Sequence, residues 1–270
     1  MTDQMAQNLT QAMLSSWDTS AQWTKGQFGD LAMQEGYETA AEVAQARVAR
    51  GEQITGIKIG FTNTAIWPLY GVDAPMWGRM YDGTVLPSGG DVYLDGLTEP
   101  RIEPEIMFML KQCPLSSMDD EEILSCISHF AHGFEIVQSP FTGWQFTLPE
   151  AVAAGGLHGR LILGQWQEID PSKISNLAKE LKNFTITLEG SDGTHAEGAA
   201  CNIVGEGPIH ALRYLLQVLE SQPSALRTPL GNGSVVTTGT LTDAFGIKPG
   251  QTWRTTMIGL DVPGANASFV

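Results

Sequence analysis

Positive charge is scarce in this sequence. Fifteen lysines and arginines face 30 aspartates and glutamates over 270 residues, a formal net charge of -15 at pH 7. Such a surface repels phosphate backbones, so a nucleic-acid partner is not expected, and any cation beside a binding site becomes informative. Cysteine is scarce too: Cys113, Cys126 and Cys201 are widely spaced and contain no C-x-x-C pair. A disulfide framework and a structural zinc site are therefore not expected, and each cysteine reads as a small thiol. Nothing approaches the ~18 apolar residues of a membrane span. The start, Met1-Thr2-Asp3-Gln4-Met5, lacks the basic region and apolar stretch of a secretion signal. A cytoplasmic protein without a membrane partner is the expectation. Histidine numbers only 5, the first at His129. His129 and His132, expected at the end of a helix, have no third ligand at zinc-site spacing, and His195 and His210 carry no local signature.

What is present is a chain with 42% hydrophobic residues, enough for one large domain or one domain with a helical appendage. Residues from about Met5 to Arg50 read as helical, with breaks near Gly26 and Gly36, and Tyr37 to Arg50 is the clearest helix, ended by Gly51. Beyond Gly51, short β-rich runs separated by Gly, Pro, Asp and Asn take over: Val85 to Val92, Arg101 to Leu110, Thr185 to Glu189, Val235 to Thr238 and Trp253 to Ile258. Two helices interrupt them, one from about Asp119 to His129 and one from Pro208 to Glu220 with Ile209, Leu212, Leu215, Leu216 and Leu219 on one face. The expected organisation is α+β, a helical region over 1–55 and a mostly β body over 56–270.

Within the run Pro100-Arg101-Ile102-Glu103-Pro104-Glu105-Ile106-Met107-Phe108-Met109-Leu110 two carboxylates open an otherwise apolar strand. Side chains alternate faces along a strand, so Glu103 and Glu105 point the same way. Two such neighbours entering a core need a proton, a Lys or Arg, or a metal ion. Oxygen-only ligands suit Mg²⁺ or Mn²⁺ better than Zn²⁺. The plain alternative is exposure on an edge strand, favoured by Pro104, which cannot donate to a ladder.

Four more motifs accompany this one: Gly56-Ile57-Lys58-Ile59-Gly60, Gly71-Val72-Asp73-Ala74-Pro75 leading to Asp82-Gly83, Gly133-Phe134-Glu135-Ile136-Val137, and Val235-Val236-Thr237-Thr238-Gly239-Thr240 followed by Lys248-Pro249-Gly250. In this order they resemble the fumarylacetoacetate hydrolase superfamily, and within it the branch of 2-hydroxypentadienoate hydratases and 4-oxalocrotonate decarboxylases. The resemblance runs from about Gly56 to Phe269. It implies a mostly β catalytic body, with Glu103, Glu105 and Glu135 as ligands of one Mg²⁺ or Mn²⁺. It further implies Lys58 beside the metal, Asp82 as an acid-base partner, and Thr238, Gly239 and Thr240 against a substrate carboxylate. Asp82 before Gly83 is equally a good turn residue. A small 2-oxo acid substrate and a homo-oligomer, with a paralogous pathway enzyme as a further partner, are also implied.

The sequence departs from the branch where Gln138-Ser139-Pro140 replaces Asp-Ser-Arg and Val152-Ala153-Ala154-Gly155 replaces V-A-D-N. Gln138 and His158 are the residues expected to take over polar roles there, Gln138 toward substrate and His158 in catalysis. The implied activity is hydration of a 2-hydroxy-2,4-dienoate or 2-oxo-enoate to a 4-hydroxy-2-oxo acid. Alternatives are decarboxylation of a 4-oxalocrotonate-like 2-oxo diacid, C–C hydrolysis of an acylpyruvate, or a catalytically silent partner subunit. Hydrolysis ranks below the other two reactions because it calls for a His-Glu pair on an N-terminal lid, and no histidine precedes His129.

Overall fold

The two longest strands form the spine of the molecule, and their register decides what faces what. The computed structural model describes residues 3–270; Met1 and Thr2, the start of the expected 1–55 region, lie outside the described residues. The chain opens with helices α1 (Asp3–Thr19) and α2 (Met33–Ala49), followed by β1 (Ile54–Gly60), the single-turn α3 (Trp67–Tyr70), β2 (Met76–Tyr81), β3 (Val85–Pro87) and β4 (Asp91–Val92). Then come β5 (Arg101–Leu110), α4 (Asp120–Ser125), β6 (Ile127–Val137), α5 (Leu148–Ala153), β7 (His158–Leu163), β8 (Gln167–Glu168) and α6 (Ile174–Asn183). The last third holds β9 (Thr185–Gly190), β10 (His195–Ala199), α7 (Pro208–Ser221), β11 (Val235–Thr237), β12 (Phe245–Gly246), β13 (Thr252–Ile258) and β14 (Asn266–Phe269).

Two sheets result. The larger has the order β2-β1-β11-β5-β6-β7-β3, with β12 also on β5 and β8 also on β6; the smaller has the order β10-β9-β13-β14-β4. Strand β5 is therefore interior, which removes the edge-strand alternative for its glutamates. Pro104 is tolerated because its carbonyl, and with it its missing N–H, faces the loop after β11, where Leu241 N–H donates to Pro104 O.

One apolar layer lies between the sheets. Ile102, Phe134, Ile136 and Ile162 of the larger sheet meet Leu188, Trp253, Ala267 and Phe269 of the smaller. A second core, on the face of β5 that Ile102 shares with Ile106 and Phe108, joins Leu9 and Met13 of α1, Val43 of α2, Ile57 and Ile59 of β1, Val152 of α5 and Leu212 and Leu216 of α7. The stripe expected on α7 is buried as a set, and Pro208 sits in its first turn, where a missing N–H is harmless.

Three local expectations change. The break near Gly36 is absent, because Gly36 lies inside α2, where a Cβ would sit 2.6 Å from Pro149 O; the glycine lets α2 lie against the segment that opens α5. Asp119 caps α4, its Oδ1 accepting from Glu122 N, but the helix stops at Ser125 and His129 and His132 belong to β6. The aromatic and β-branched run after Cys126 gains a full ladder with β5, which outweighs local helix preference. The run Val85 to Val92 splits into β3 and β4 at Ser88-Gly89-Gly90, and the two halves join different sheets.

Candidate active site

Register builds the site. In the β5–β6 pair Glu103 stands directly opposite Glu135, and Glu105 lies two residues along on the same face. Among the described residues these are a group of three acids that each offer one oxygen within 4.8 Å of the other two. Glu105 and Glu135 are wholly buried, while Glu103 is half-buried at the wall of a cavity of about 410 Å³. Lys58 reaches the cluster from β1, its Nζ 3.1 Å from Glu135 Oε2 and donating to Gly156 O at 3.0 Å.

The charges are out of balance. Burial pushes the Glu103 carboxyl up to about 7 against the pull of Lys58, with the Glu135 charge adding to the rise. Glu105 is driven well above the ordinary carboxylate range by burial and by the charges of Glu135 and Glu103. Glu135 moves the other way, because the Lys58 ammonium and the His158 hydrogen bond outweigh its burial. For Lys58, burial disfavours the charge, but Glu135, Glu103 and Glu105 together hold its pKa above the lysine norm. Glu105 Oε1 has no hydrogen-bond partner, and Glu135 Oε2 has none beyond its ionic contact with Lys58. Buried oxygens left open in this way are what an oxygen-seeking dication requires, so the donor set fits Mg²⁺ or Mn²⁺.

The remaining expected residues are placed unequally. Gly239 and Thr240 line the cavity, but the turn serves a protein carboxylate: Gly239 N–H donates to Glu105 Oε2 at 2.8 Å. Gly239 has φ +90°, and a Cβ there would fall 1.7 Å from Thr62 Oγ1, so only glycine closes the turn. The Thr238 and Thr240 hydroxyls donate to the carbonyls of Ile106 and Thr242.

His158 lies behind the cluster. Its Nδ1 is 2.9 Å from Glu135 Oε1 and its Nε2 is 2.8 Å from Thr84 Oγ1, and burial holds the ring below the usual histidine pKa, as a neutral donor to Glu135. Gln138 is spent on the backbone, accepting from Thr98 N–H and donating to His158 O. Asp82 is not brought to the site: it is exposed, and its Oδ1 accepts from the N–H groups of Gln53 and Gly83 in the turn after β2.

Several residues that sequence reasoning missed complete the arrangement. His132, kept neutral by burial at a pKa of about 4, bonds Glu105 O through Nδ1 and Thr255 Oγ1 through Nε2, pinning the backbone that carries Glu105. The cavity walls are apolar, with Phe61, Tyr70, Met76, Val137, Trp144 and Leu157 among them. Arg101 also lines the cavity; strand alternation from Glu103 would have found it. Trp77 and Trp144 are both buried.

Known proteins share the fold and part of the sequence. No family model matches the chain. It is 29% identical over 209 residues to a 4-oxalocrotonate decarboxylase of a Pseudomonas species, covering 77% of this chain and 76% of that one. It is 26% identical over 253 residues to a 2-keto-4-pentenoate hydratase of Paraburkholderia xenovorans, covering 93% of this chain and 89% of the relative. Among solved structures, the 4-oxalocrotonate decarboxylase of Pseudomonas putida G7, complexed with magnesium and adipate, superposes with a TM-score of 0.85 at 22% identity, over 100% of this chain and 99% of that one. The fold is thus the mixed α+β fold expected from the fumarylacetoacetate hydrolase resemblance.

Proposed function

We propose that this chain is a divalent-cation-dependent hydro-lyase that converts 2-hydroxy-2,4-dienoates or 2-oxo-enoates into 4-hydroxy-2-oxo acids. The observation that carries the reading is the cluster of three carboxylates sharing one lysine at the closed end of an apolar cavity. Glu103, Glu105 and Glu135 would hold the cation, which when bound supplies electrophilic stabilisation to the negative charge that develops on the oxygens of a 2-oxo acid.

The chain's own groups do the rest. His158 and Gly239 N–H each occupy one carboxylate oxygen and so fix how Glu135 and Glu105 present the other. Lys58 is protonated, faces the cluster and can deliver a proton to the substrate or offset its charge, a contribution of ~10²- to 10⁴-fold for a positioned acid. Phe61, Tyr70, Val137 and Leu157 shield the conjugated chain from water except at the cavity mouth.

Decarboxylation of a 2-oxo diacid is the second reading, favoured by similarity to a decarboxylase at 29% identity. It shares the charge build-up at the carboxylate end and differs only in whether water adds or CO₂ leaves. The reading also includes a helical 1–55 region serving a 56–270 catalytic body, and a cytoplasmic homo-oligomer, whose size light scattering measures. Among the described residues no helix is long and apolar enough to cross a membrane.

The test is NMR of the purified protein with Mg²⁺ or Mn²⁺ and 2-hydroxypenta-2,4-dienoate, 4-oxalocrotonate or an acylpyruvate, each repeated with chelator. Metal-dependent appearance of a 4-hydroxy-2-oxo acid supports hydration, and CO₂ release moves the assignment to the second reading. No conversion of any compound refutes both.

A further inference from the structure

Among the described residues five other than glycine hold φ in the left-handed region, and three of them, Phe61 (+57°), Trp144 (+58°) and Leu157 (+63°), line the cavity. A bulky side chain is rare there because its Cβ crowds the following carbonyl, and strain of this kind gathers where a ligand is gripped. Hydrogen bonds from outside the cavity pin all three. Phe61 O accepts from Trp67 Nε1, Leu157 O accepts from Gln138 N–H, and Trp144 Nε1 donates to Glu99 O. Behind Phe61 the wall is stiff: its ring lies 5.5 Å from that of Tyr70, which stacks in turn on Phe146 at 5.4 Å. The apolar lining is therefore shaped against backbone preference, which points to something apolar that it holds.

The cavity is also larger than an acid head alone requires. A buried space of about 150 Å³ holds a benzene molecule, so a five-carbon 2-oxo acid, with about one-third more heavy atoms, fills about 200 Å³. Allowing roughly 60 Å³ for ion and water, about 150 Å³ of the cavity's 410 Å³ remain, the room of one phenyl ring. At the rim stand Leu69, the most exposed large apolar side chain among the described residues at 76%, and the half-buried Phe245. Charge there does not favour a second acid. Asp243 is exposed at the same rim, and Arg101 lies over the Trp144 ring, donates to the Tyr70 hydroxyl and offsets the charge of Glu103. We infer that the substrates are 2-oxo acids or their enols carrying an apolar terminal group about the size of a phenyl ring, and that Phe61 and Leu69 select for that group. The inference rests on the proposed placing of the acid head at the glutamate cluster, and it favours addition of water over loss of a second carboxylate.

Calorimetry with Mg²⁺ and two saturated acids, 2-oxopentanoate and 2-oxo-5-phenylpentanoate, tests this without turnover. The phenyl compound is expected to bind about tenfold or more tightly, the gain of burying one ring. Leu69→Ser, at an exposed position, should cut that preference by about threefold, the share of roughly one methylene. Phe61→Gly, which the left-handed backbone accommodates, should remove most of the preference while 2-oxopentanoate stays within about threefold of the wild type. Equal affinity of the wild type for the two acids, a preference that neither variant lowers, or tighter binding of 2-oxoadipate than of 2-oxohexanoate overturns the inference. If Phe61→Gly does not fold, the wild-type preference and Leu69→Ser decide. Should Mg²⁺ strengthen neither acid, the cation-dependent reading fails, while a phenyl preference that Leu69→Ser lowers still upholds the apolar site.

Discussion

Affinity for a divalent cation should rise steeply with pH, because the glutamate cluster must shed protons to receive one. In the metal-free protein Glu103 titrates at about 7 and Glu105 well above the ordinary carboxylate range, both chiefly through burial. At pH 6 Glu103 is mostly protonated and Glu105 is biased the same way, so three carboxylates become available only as protons leave. From pH 6 to pH 8 Glu103 alone strengthens binding roughly tenfold, and Glu105 steepens the rise in the same direction. Free-protein stability runs the other way. A carboxyl whose folded pKa is raised gives its full relative stabilisation below the unfolded value of 4.5, and that contribution is lost as pH climbs through the folded value, about 7 for Glu103. Glu135, held low, behaves oppositely and loses its contribution only on acidification below 4.5. Mg²⁺ at a hundredfold excess over its Kd stabilises the fold by about 2.7 kcal/mol. In a chain this long that is a rise in Tm of roughly 5–10 °C. Calorimetry at pH 6, 7 and 8 in two buffers of different ionisation enthalpy reads both affinity and proton count. Binding that is flat across this range, with no proton released at pH 6, would refute the reasoning.

The other consequences are read with simpler variants. Glu105→Gln removes a carboxyl that burial and the charges of Glu135 and Glu103 make costly to ionise, so at pH 8 the metal-free variant should be no less stable than the parent in urea unfolding and should lose its Tm response to Mg²⁺. Lys58→Met should depress turnover by ~10²-fold or more while metal affinity holds or rises, since a positive neighbour of the cation is gone; an equal fall in both would mean that Lys58 is structural. His158→Asn, which loses the bond to Glu135 Oε1, should weaken metal binding about 10- to 100-fold, as loss of a supporting partner behind a ligand does. Asp82→Asn, altering a turn outside the cavity, should leave kcat and KM unchanged, and a tenfold drop in kcat would return Asp82 to the chemistry.

Two members of the carboxylate cluster were legible in the sequence because strand alternation is a local rule: Glu103 and Glu105 share a face whatever the tertiary structure does, whereas Glu135 came only with the family resemblance. The long apolar stripe of α7 was legible because helical spacing is a local rule too. What local rules do not carry is pairing. His129 and His132 join a strand because β5 is there to receive it, not because the segment prefers strand. The role of His158 depends on β7 lying beside β6, where the Val137–His158 pair brings the ring behind Glu135. Gln138 was read as facing substrate, yet its amide satisfies the backbone at Thr98 and His158. The changed segment Gln138-Ser139-Pro140 is covered by the chain after α1, with Trp23 N–H donating to Pro140 O and Gln22 Nε2 to Ser139 O. Polar residues there were legible, but not the backbone groups they serve.

The site's strain and the core's order have one origin. Ile102, Phe134 and Ile136 are locked into the layer between the sheets, and because side chains alternate, that burial forces Glu103, Glu105 and Glu135 onto the opposite face together. Sliding β6 by one residue against β5 would turn the glutamate into the apolar layer and the isoleucine out of it, so the register holds even though it crowds three acids around one lysine. The free energy that keeps unfavourable charges together comes from side chains that never touch the cavity. Substitutions in that apolar layer, such as Phe134→Ala, should therefore cost about 3–5 kcal/mol of stability. If the layer alone sets the register, surviving folded molecules should keep the metal affinity of the parent protein; a variant that folds yet binds Mg²⁺ many-fold more weakly would show that the glutamate cluster depends on packing finer than strand register.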